Sequence, residues 1–372
     1  MPVDIQLANA IKPCRVNEID LLRFFAVMMV VLFHYSFRGY AANDMSIMPY
    51  PALAAISKYG YLGVDLFFLI SGFVILMTAS SGSPQRFSVS RIVRLYPAYW
   101  FCCTATFIAT ITIGGERFSA TLSQYFINMT MMNEFIGVKS IDEVYWSLAV
   151  ELQFYVLVGL LLMLRQIPRA QFFLLAWLLA VIATKVFTAG WAVRTLLIAD
   201  YAPCFIAGAT CFLVHSRGAT AARIAMIFIA WIAALISSLQ AIPQLEAKLH
   251  TTFDLYVVAG LISFFFAAIF LVSMKWTGSI SKREWITVGA LTYPLYLIHQ
   301  NVGYMIFNIA YPTVNPHLLL WGTIFSMLLF AFLVHQWIEQ AFARRLKRIL
   351  NEALAVVLKK ETNRGQYDGS AE

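Results

Sequence analysis

The residues with the clearest capacity for chemistry are ionisable side chains inside long apolar stretches of the sequence. They are Arg23, His34, Asp65, Glu151 and His299. Charged groups within the hydrocarbon region of a membrane are unfavourable and usually have a function. A histidine can take a proton from a hydroxyl group when a carboxylate orients its imidazole. We therefore expect His34, with Glu151 or Asp65, to form the catalytic group of a reaction at a hydroxyl.

Arg23 and His34 are eleven residues apart in one apolar stretch. On an α-helix this spacing is about three turns and about 16 Å of rise, and it returns the side chain to nearly the same face. Both side chains can therefore face one cavity at different depths. The alternative is an arginine that snorkels to the membrane surface and a histidine that bonds a neighbouring carbonyl group.

Glu151 lies near the start of its apolar stretch, at a depth near the outer surface that matches the depth expected for the base. Ser147 precedes it by one turn on the same helix face. Trp146 fits either a substrate-binding platform or an interfacial anchor. Asp65 fits either an acceptor for a substrate hydroxyl or a cap at a helix start. His299 fits either a polar strut between helices or part of a cavity wall.

Arg91 and Arg94 lie three positions apart just before another apolar stretch. Two guanidinium groups on one face at a helix start form a clamp for phosphate. Ordinary positive anchoring on the cytoplasmic side explains the pair equally well. Ser71 and Gly72 indicate close packing of helices by small residues rather than a nucleophile. The cysteines and histidines lack the spacing of metal ligands, so no metal is predicted.

The composition indicates whether these ionisable groups lie in a soluble protein or in a membrane protein. Of the 372 residues, 60% are hydrophobic and 12% are charged, whereas a soluble domain has about 25% charged residues. A membrane-spanning helix needs about 20 apolar residues, and such windows lie at 19–37, 61–79, 95–113, 144–164, 171–188, 195–214, 222–240, 253–274, 286–309 and 317–336. The sequence therefore predicts an all-α integral membrane protein, a bundle of about ten transmembrane helices.

Lysine and arginine residues concentrate in the two tails and in alternate connections. By the positive-inside rule, both termini are expected in the cytoplasm and the chain in the cytoplasmic (inner) membrane. The formal charge of +8 then requires no nucleic acid partner. We divide the chain into an N-terminal tail (1–18), a transmembrane domain (19–338) and a basic amphipathic tail on the membrane lipids (339–372). The stretch 121–136 is either interfacial or re-entrant.

Five segments, taken in order, resemble the acyltransferase family 3 membrane proteins. They are EIDLLRFFAVMMVVLFHY, GYLGVDLFFLISGFVI, SRIVRLYPAYW, VYWSLAVELQFY and ADYAPCFIAGA. The first has the family's pattern of arginine, ten residues and histidine, and the third has its R-x-x-R-x-x-P element. Two positions depart from the family, because Asn301 stands where proline is frequent, and Gln340 and Ala341 follow Glu339 where Glu-x-Pro is common. These departures concern the ends of helices.

The resemblance implies a membrane O-acyltransferase. It would move an acyl group, most simply acetyl, from cytoplasmic acyl-CoA to a hydroxyl of a glycan or lipid-linked sugar at the outer face. In this scheme Arg91 and Arg94 hold the phosphates of coenzyme A and the pantetheine arm passes Arg23. His34 then deprotonates the acceptor hydroxyl. A transient acyl-enzyme at His34 or Ser147 is the alternative route.

Other functions remain open at this point. The acceptor could be a small molecule or a lipid, and an accessory component could bind acyl-CoA without catalysis. A transporter of lipid-linked sugars or small anions would also have about ten spans with charges inside the membrane. Transporters commonly contain paired half-repeats, and no such pairing is visible in this sequence. We expect the outer connections, 38–60 and 114–143, to select the acceptor.

Overall fold

The computed structural model describes residues 15–42, 44–80, 82–187 and 190–352. Within these residues the chain is helical, with no strand. The α-helices are Asn17–Phe33 (α1), Gly39–Ala41 (α2), Pro51–Ser57 (α3), Gly63–Ala79 (α4), Pro84–Ile113 (α5), Leu122–Asn128 (α6), Trp146–Met163 (α7), Ala170–Val186 (α8), Trp191–Leu196 (α9), Ala202–Arg217 (α10), Ala221–Leu249 (α11), Leu255–Ser273 (α12), Ile286–Ala310 (α13) and Pro316–Leu333 (α14).

Eight helical segments of the described chain are long and apolar enough to cross a membrane. They are Asn17–Ala41, Pro51–Ala79, Pro84–Ile113, Glu143–Met163, Ile167–Val186, Ala221–Leu249, Leu255–Ser273 and Pro316–Glu352. The prediction of a multi-pass helical membrane protein is therefore confirmed. Two further predicted windows correspond to α10, which has 16 residues, and to α13, whose buried residues include the polar Thr292, His299, Gln300 and Asn301. The count of ten and the cytoplasmic termini stay predictions.

Helix α5 begins much earlier than predicted, at Pro84 instead of residue 95. Its start is capped by the Ser83 side chain, which accepts from the backbone N–H of Arg86. Arg91 and Arg94 consequently lie within the helix, two to three turns from its first residue. The prediction that they sit at a helix start was wrong, because polar residues before the apolar window still satisfy helical geometry. Helix-end N–H groups therefore do not assist these arginines.

Helices α4 and α10 pack backbone against backbone at two glycines. A Cβ atom on Gly72 would lie 2.1 Å from the carbonyl oxygen of Phe205, and one on Gly208 would lie 1.8 Å from that of Leu69. Only glycine permits this approach. The prediction of close packing by small residues at Gly72 is confirmed. The contact fixes α4, which lines the candidate site, against the centre of the bundle.

Two π-helical turns interrupt the long helices. One spans His34–Arg38 at the end of α1, and the other spans Val334–Glu339 after α14. Such turns shift the register of one helix face and are frequent at functional sites. The helix that follows the second turn continues to residue 352. The remainder of the predicted amphipathic tail, like residues 1–14 of the predicted N-terminal tail, lies outside the described residues.

Candidate functional site

Two adjacent cavities contain most of the predicted site residues. The smaller, which we call the arginine cavity, has a volume of about 100 Å³ and is lined by Arg23, Arg91, Arg94 and Glu151. The larger, the histidine cavity, has a volume of about 850 Å³ and is lined by His34 among others. Helices α1, α4, α7 and α13 contribute to both. The site residues of these helices are thus divided between two chambers.

Tyr296 and Val64 line both cavities and therefore form the boundary between them. The Tyr296 hydroxyl donates to the carbonyl oxygen of Val144 at 3.1 Å and lies 2.7 Å from the hydroxyl of Ser147. Ser147 is itself buried and also bonds the Val144 carbonyl group, at 3.1 Å. These contacts hold Ser147 as part of the dividing wall, which does not favour its role as a nucleophile.

Arg91 is held inside the arginine cavity by several weak contacts. Its Nη2 lies 3.2 Å from the hydroxyls of Thr78 and Ser90. Its guanidinium carbon lies 5.7 Å from the ring centre of Tyr155, within cation–π range. Among the described residues, its buried Nε finds no hydrogen-bond acceptor. A buried donor of this kind is unfavourable unless a ligand satisfies it.

Arg94 lies at the edge of the same cavity and meets the second π-helical turn. Its Nη1 is 3.5 Å from a carboxylate oxygen of Glu339, and the other oxygen of that carboxylate is 2.6 Å from Nδ1 of His335. Its guanidinium group also lies over the Tyr293 ring, 5.6 Å from its centre. The ion pair with Glu339 is long and Arg94 is partly exposed, so the pair is weak.

Glu151 lines the arginine cavity, whereas His34 lines the histidine cavity. Glu151 accepts hydrogen bonds from Ser71 at 2.9 Å and from Tyr155 at 3.0 Å. The segment before α7 is buried, with Asp142 fully inaccessible. Helix α7 therefore begins among buried residues, and its Glu151 lines the arginine cavity. Its carboxylate opposes the arginines and has no contact with the imidazole of His34.

His34 is oriented by a different set of partners. Its Nδ1 lies 2.8 Å from the carbonyl oxygen of Val30 and 3.1 Å from Nε2 of His299, whose own Nδ1 lies 2.8 Å from the carbonyl oxygen of Tyr296. Carbonyl oxygens only accept, so these contacts assign the neutral tautomer with hydrogen on Nδ1 to both rings. The lone pair of His34 is then on Nε2.

Arg38 faces that lone pair. Its Nη1 lies 3.3 Å from Nε2 of His34, and its Nη2 forms a 2.5 Å ion pair with Glu143. The two residues are four apart within the π-helical turn, and both line the histidine cavity. Sequence reasoning missed Arg38 because its charge was assigned to a connection. The spacing of four from His34 was the signal that could have identified it.

The remaining predicted site residues, His299, Trp146 and Asp65, do not lie at one common site. His299 is fully buried and lines neither cavity, so it positions His34 rather than contacting a substrate. Trp146 lines the histidine cavity, 5.5 Å from the Tyr201 ring centre. Asp65 lines it too and accepts from the thiol of Cys204 at 3.9 Å. Neither Asp65 nor Glu151 orients the imidazole of His34.

Asp142 links the buried segment before α7 to helix α13 by hydrogen bonds. Its carboxylate accepts from the backbone N–H of Asn301 at 3.0 Å and from that of Val144 at 3.2 Å. Burial raises the pKa of Asp142 to about 7, although these two N–H groups lower it. A proline at position 301 would lack the N–H that bonds Asp142. Asn301 therefore fits the packing that this chain adopts here.

Comparisons with known proteins give relatives that each match part of this chain. Nodulation protein 10 of Rhizobium leguminosarum bv. viciae is 28% identical over 169 residues, covering 39% of this chain and 44% of that protein. Peptidoglycan O-acetyltransferase OatA of Listeria monocytogenes serovar 1/2a is 28% identical over 162 residues, covering 38% of this chain and 23% of that protein. The chain thus aligns with less than half the length of each of these curated relatives. No solved structure matches it significantly.

A family model described as an acyltransferase domain matches most of the chain. The match runs over residues 16–336, from the start of α1 into the second π-helical turn. It therefore includes both cavities and their boundary. This chain is a member of the acyltransferase 3 family.

Proposed function

We propose that this protein is a membrane-embedded O-acyltransferase. It transfers an acyl group, most simply acetyl, from cytoplasmic acyl-CoA to a hydroxyl of a cell-envelope or secreted glycan at the outer face of the inner membrane. The observation that carries the proposal is the shared boundary at Tyr296 and Val64. A cationic chamber meets a polar chamber there, and the lone pair of the His34 imidazole lies in the wall of the second.

The arginine cavity supplies the donor side of this reaction. Its three arginines outnumber its one carboxylate, Glu151, so it attracts the phosphates of coenzyme A. Its volume of about 100 Å³ lies below the usual range of ligand sites, about 300–1,000 Å³. The cavity must therefore widen when donor binds. The weak pair between Arg94 and Glu339 is the contact that a phosphate group would replace.

The histidine cavity supplies the acceptor side. Its volume of about 850 Å³ lies within the usual range of ligand sites, about 300–1,000 Å³. Trp146 and Tyr201 offer aromatic faces on one wall, and Asp65 and Gln300 offer hydrogen-bonding groups. This mixture of aromatic and polar groups suits a sugar, which has both apolar faces and hydroxyls.

The reaction at the boundary uses His34 as the base. The acceptor oxygen attacks the thioester carbonyl carbon while its proton passes to Nε2 of His34. The tetrahedral intermediate collapses, the carbon–sulfur bond breaks, and the departing thiolate takes the proton from His34. Arg38 lies next to Nε2 and can stabilise the negative oxygen of the intermediate. The acceptor hydroxyl must first displace Nη1 of Arg38 from the lone pair.

The relatives support acyl transfer, since OatA is named for O-acetylation of peptidoglycan. Purified protein in lipid nanodiscs, with acetyl-labelled acetyl-CoA and cell-envelope glycan, tests the proposal. We expect the label to appear on the glycan as an ester that mild base releases, with one free thiol formed for each ester. A transporter or a non-catalytic acyl-CoA-binding component would form no ester. Absence of ester with a range of envelope glycans would contradict the proposal.

A further inference from the structure

The histidine cavity gathers cations on the side of the protein where they are least expected. The predicted outer connections hold Arg38, Lys58, Arg117, Lys139, Arg194 and Lys248. Arg38, Lys139, Arg194 and Lys248 all line the histidine cavity. The positive-inside rule disfavours lysine and arginine in short outer connections. Membrane orientation does not explain why these cations surround one cavity. A ligand that binds in the cavity would explain it.

Lys185 adds a fifth cation to this cavity from within a membrane-spanning helix. It is half-buried near the end of α8, and its ammonium group lies 2.5 Å from the hydroxyl of Ser237 on α11. No carboxylate among the described residues forms an ion pair with it. An ionisable group in a membrane-spanning helix that lacks a direct ion pair indicates a functional site.

The nearest carboxylate is already engaged. Asp200 forms a 2.6 Å ion pair with Arg194 and also acts on Lys185 by its charge, so one carboxylate faces three cations, Lys185, Arg194 and the exposed Lys248. This part of the cavity is therefore positive. The other carboxylates of the lining, Asp65, Glu134 and Glu143, belong to other segments, and Glu143 balances the charge of Arg38. We refer to Lys185, Arg194 and Lys248 as the lysine end of the histidine cavity.

The lysine end belongs to a different group of helices from the base. Helices α8 and α11 pack on α10, whereas α1, which carries His34, packs on α4 and α13. The cavity extends across both groups. A ligand whose hydroxyl reaches His34 can therefore place another of its groups at the lysine end. That second group meets positive charge in a partly desolvated wall, where charge-assisted hydrogen bonds are strong.

We propose that the acceptor of this protein is anionic, and that its carboxylate or phosphate group binds at the lysine end with Lys185 as the principal contact. The proposal rests on the proposed function, which identifies the ligand with the reacting hydroxyl as the acceptor. Binding of the anionic group can nevertheless be measured without acyl transfer. A carboxylated sugar and the diphosphate of a lipid-linked sugar are the two sources of such a group.

Equilibrium binding to the purified protein, without donor, provides the test. The probes are an oligoglucuronate, a neutral cello-oligosaccharide of equal length, and a short-chain polyprenyl diphosphate. We expect at least one anionic probe to bind about tenfold more tightly than the neutral one. Its affinity should fall with added salt because screening weakens the attraction. The anionic probe that binds more tightly identifies the source.

Lys185→Gln should weaken binding of that probe about tenfold and leave the neutral probe unchanged. Lys58→Gln is the matched control, since Lys58 is an outer lysine whose ammonium group bonds the Thr252 carbonyl group outside the cavity. Equal affinity of all probes, including no measurable binding of any, would overturn the proposal. So would a Lys185→Gln protein that keeps the preference for the anion.

This test separates the subsite from the transfer chemistry. If a protein with His34→Gln retains the anionic preference but the wild type forms no ester, the subsite stands and the proposed acyl transfer fails. If esters form on neutral and anionic acceptors with equal KM, the transfer chemistry stands and the subsite fails.

Discussion

Nη1 of Arg38 lies 3.3 Å from Nε2 of His34, the nitrogen that the hydrogen-bond pattern leaves with a lone pair. The same guanidinium group is held by Glu143. In the proposed reaction this cation lies beside the base, where negative charge develops during attack on a thioester. The proposed function therefore links the charges of the histidine cavity to the reaction at the boundary with the arginine cavity.

Arg38→Gln should lower kcat about 10²–10³-fold, the effect typical of losing one donor to an oxyanion. Arg38→Lys should not restore it, since an ammonium group cannot bridge two partners as a planar guanidinium group does. Steady-state transfer at saturating donor and acceptor measures the effect. Arg117→Gln is the control, because Arg117 pairs with Asp44 outside the cavities. A kcat of Arg38→Gln within twofold of the wild type would exclude this role.

Arg91→Gln and Arg94→Gln should each raise the KM for acetyl-CoA about 10–100-fold, since a hydrogen bond to a charged group contributes about 1.5–3 kcal/mol. S-acetylpantetheine lacks the phosphates of coenzyme A, so its KM should not change. Arg86→Gln is the control on the same helix, where Arg86 is exposed and lines neither cavity. Equal changes with both donors would show that these arginines do not bind phosphate.

Gly208→Ala should destabilise the protein by about 1–3 kcal/mol or prevent its folding, because the new methyl group meets the backbone of α4. Gly260→Ala, at a helical glycine with open space around it, should instead be neutral or stabilising. Thermal unfolding in detergent compares the two variants. Similar melting temperatures would mean that α4 and α10 do not pack through these glycines.

The buried carboxyl of Asp142 should make stability depend on pH. Its pKa in the folded chain is about 7, whereas an unfolded aspartate titrates at about 3.9. Between these values the folded chain binds more protons, so the free energy of unfolding falls as pH rises from about 4 to about 7. Relative to Asp142→Asn, the wild type should lose up to ~1.4 kcal/mol for each pH unit. A stability difference between the two that is constant with pH would contradict this.

The sequence predicted the parts of the fold that depend on the apolar environment of the membrane. Apolar windows located the long helices, and the cost of charge in hydrocarbon singled out Arg23 and His34. Both line cavities in the structure. The pattern of small residues also located the contact at Gly72. In each case a single local property of the chain was sufficient.

The failures arose where tertiary packing decided the position of a residue. Glu151 lines a different cavity from His34, and no pattern along the chain predicts which cavity a side chain will line. The π-helical turn brought Arg38 to the base, although its charge resembled that of a surface connection. His299 belongs beside His34 only because α1 and α13 pack together. Pairings of this kind require the fold itself.

The most direct test of the central claim is acyl transfer by His34→Gln, whose amide retains hydrogen-bonding capacity but cannot act as the base. The measurement combines the rate of ester formation with the affinity for acetyl-CoA in the same nanodisc preparation. We expect at least a 10²-fold loss of transfer with donor affinity unchanged, because the arginine cavity is intact. Transfer near the wild-type rate, in a protein that binds donor normally, would show that His34 is not the base.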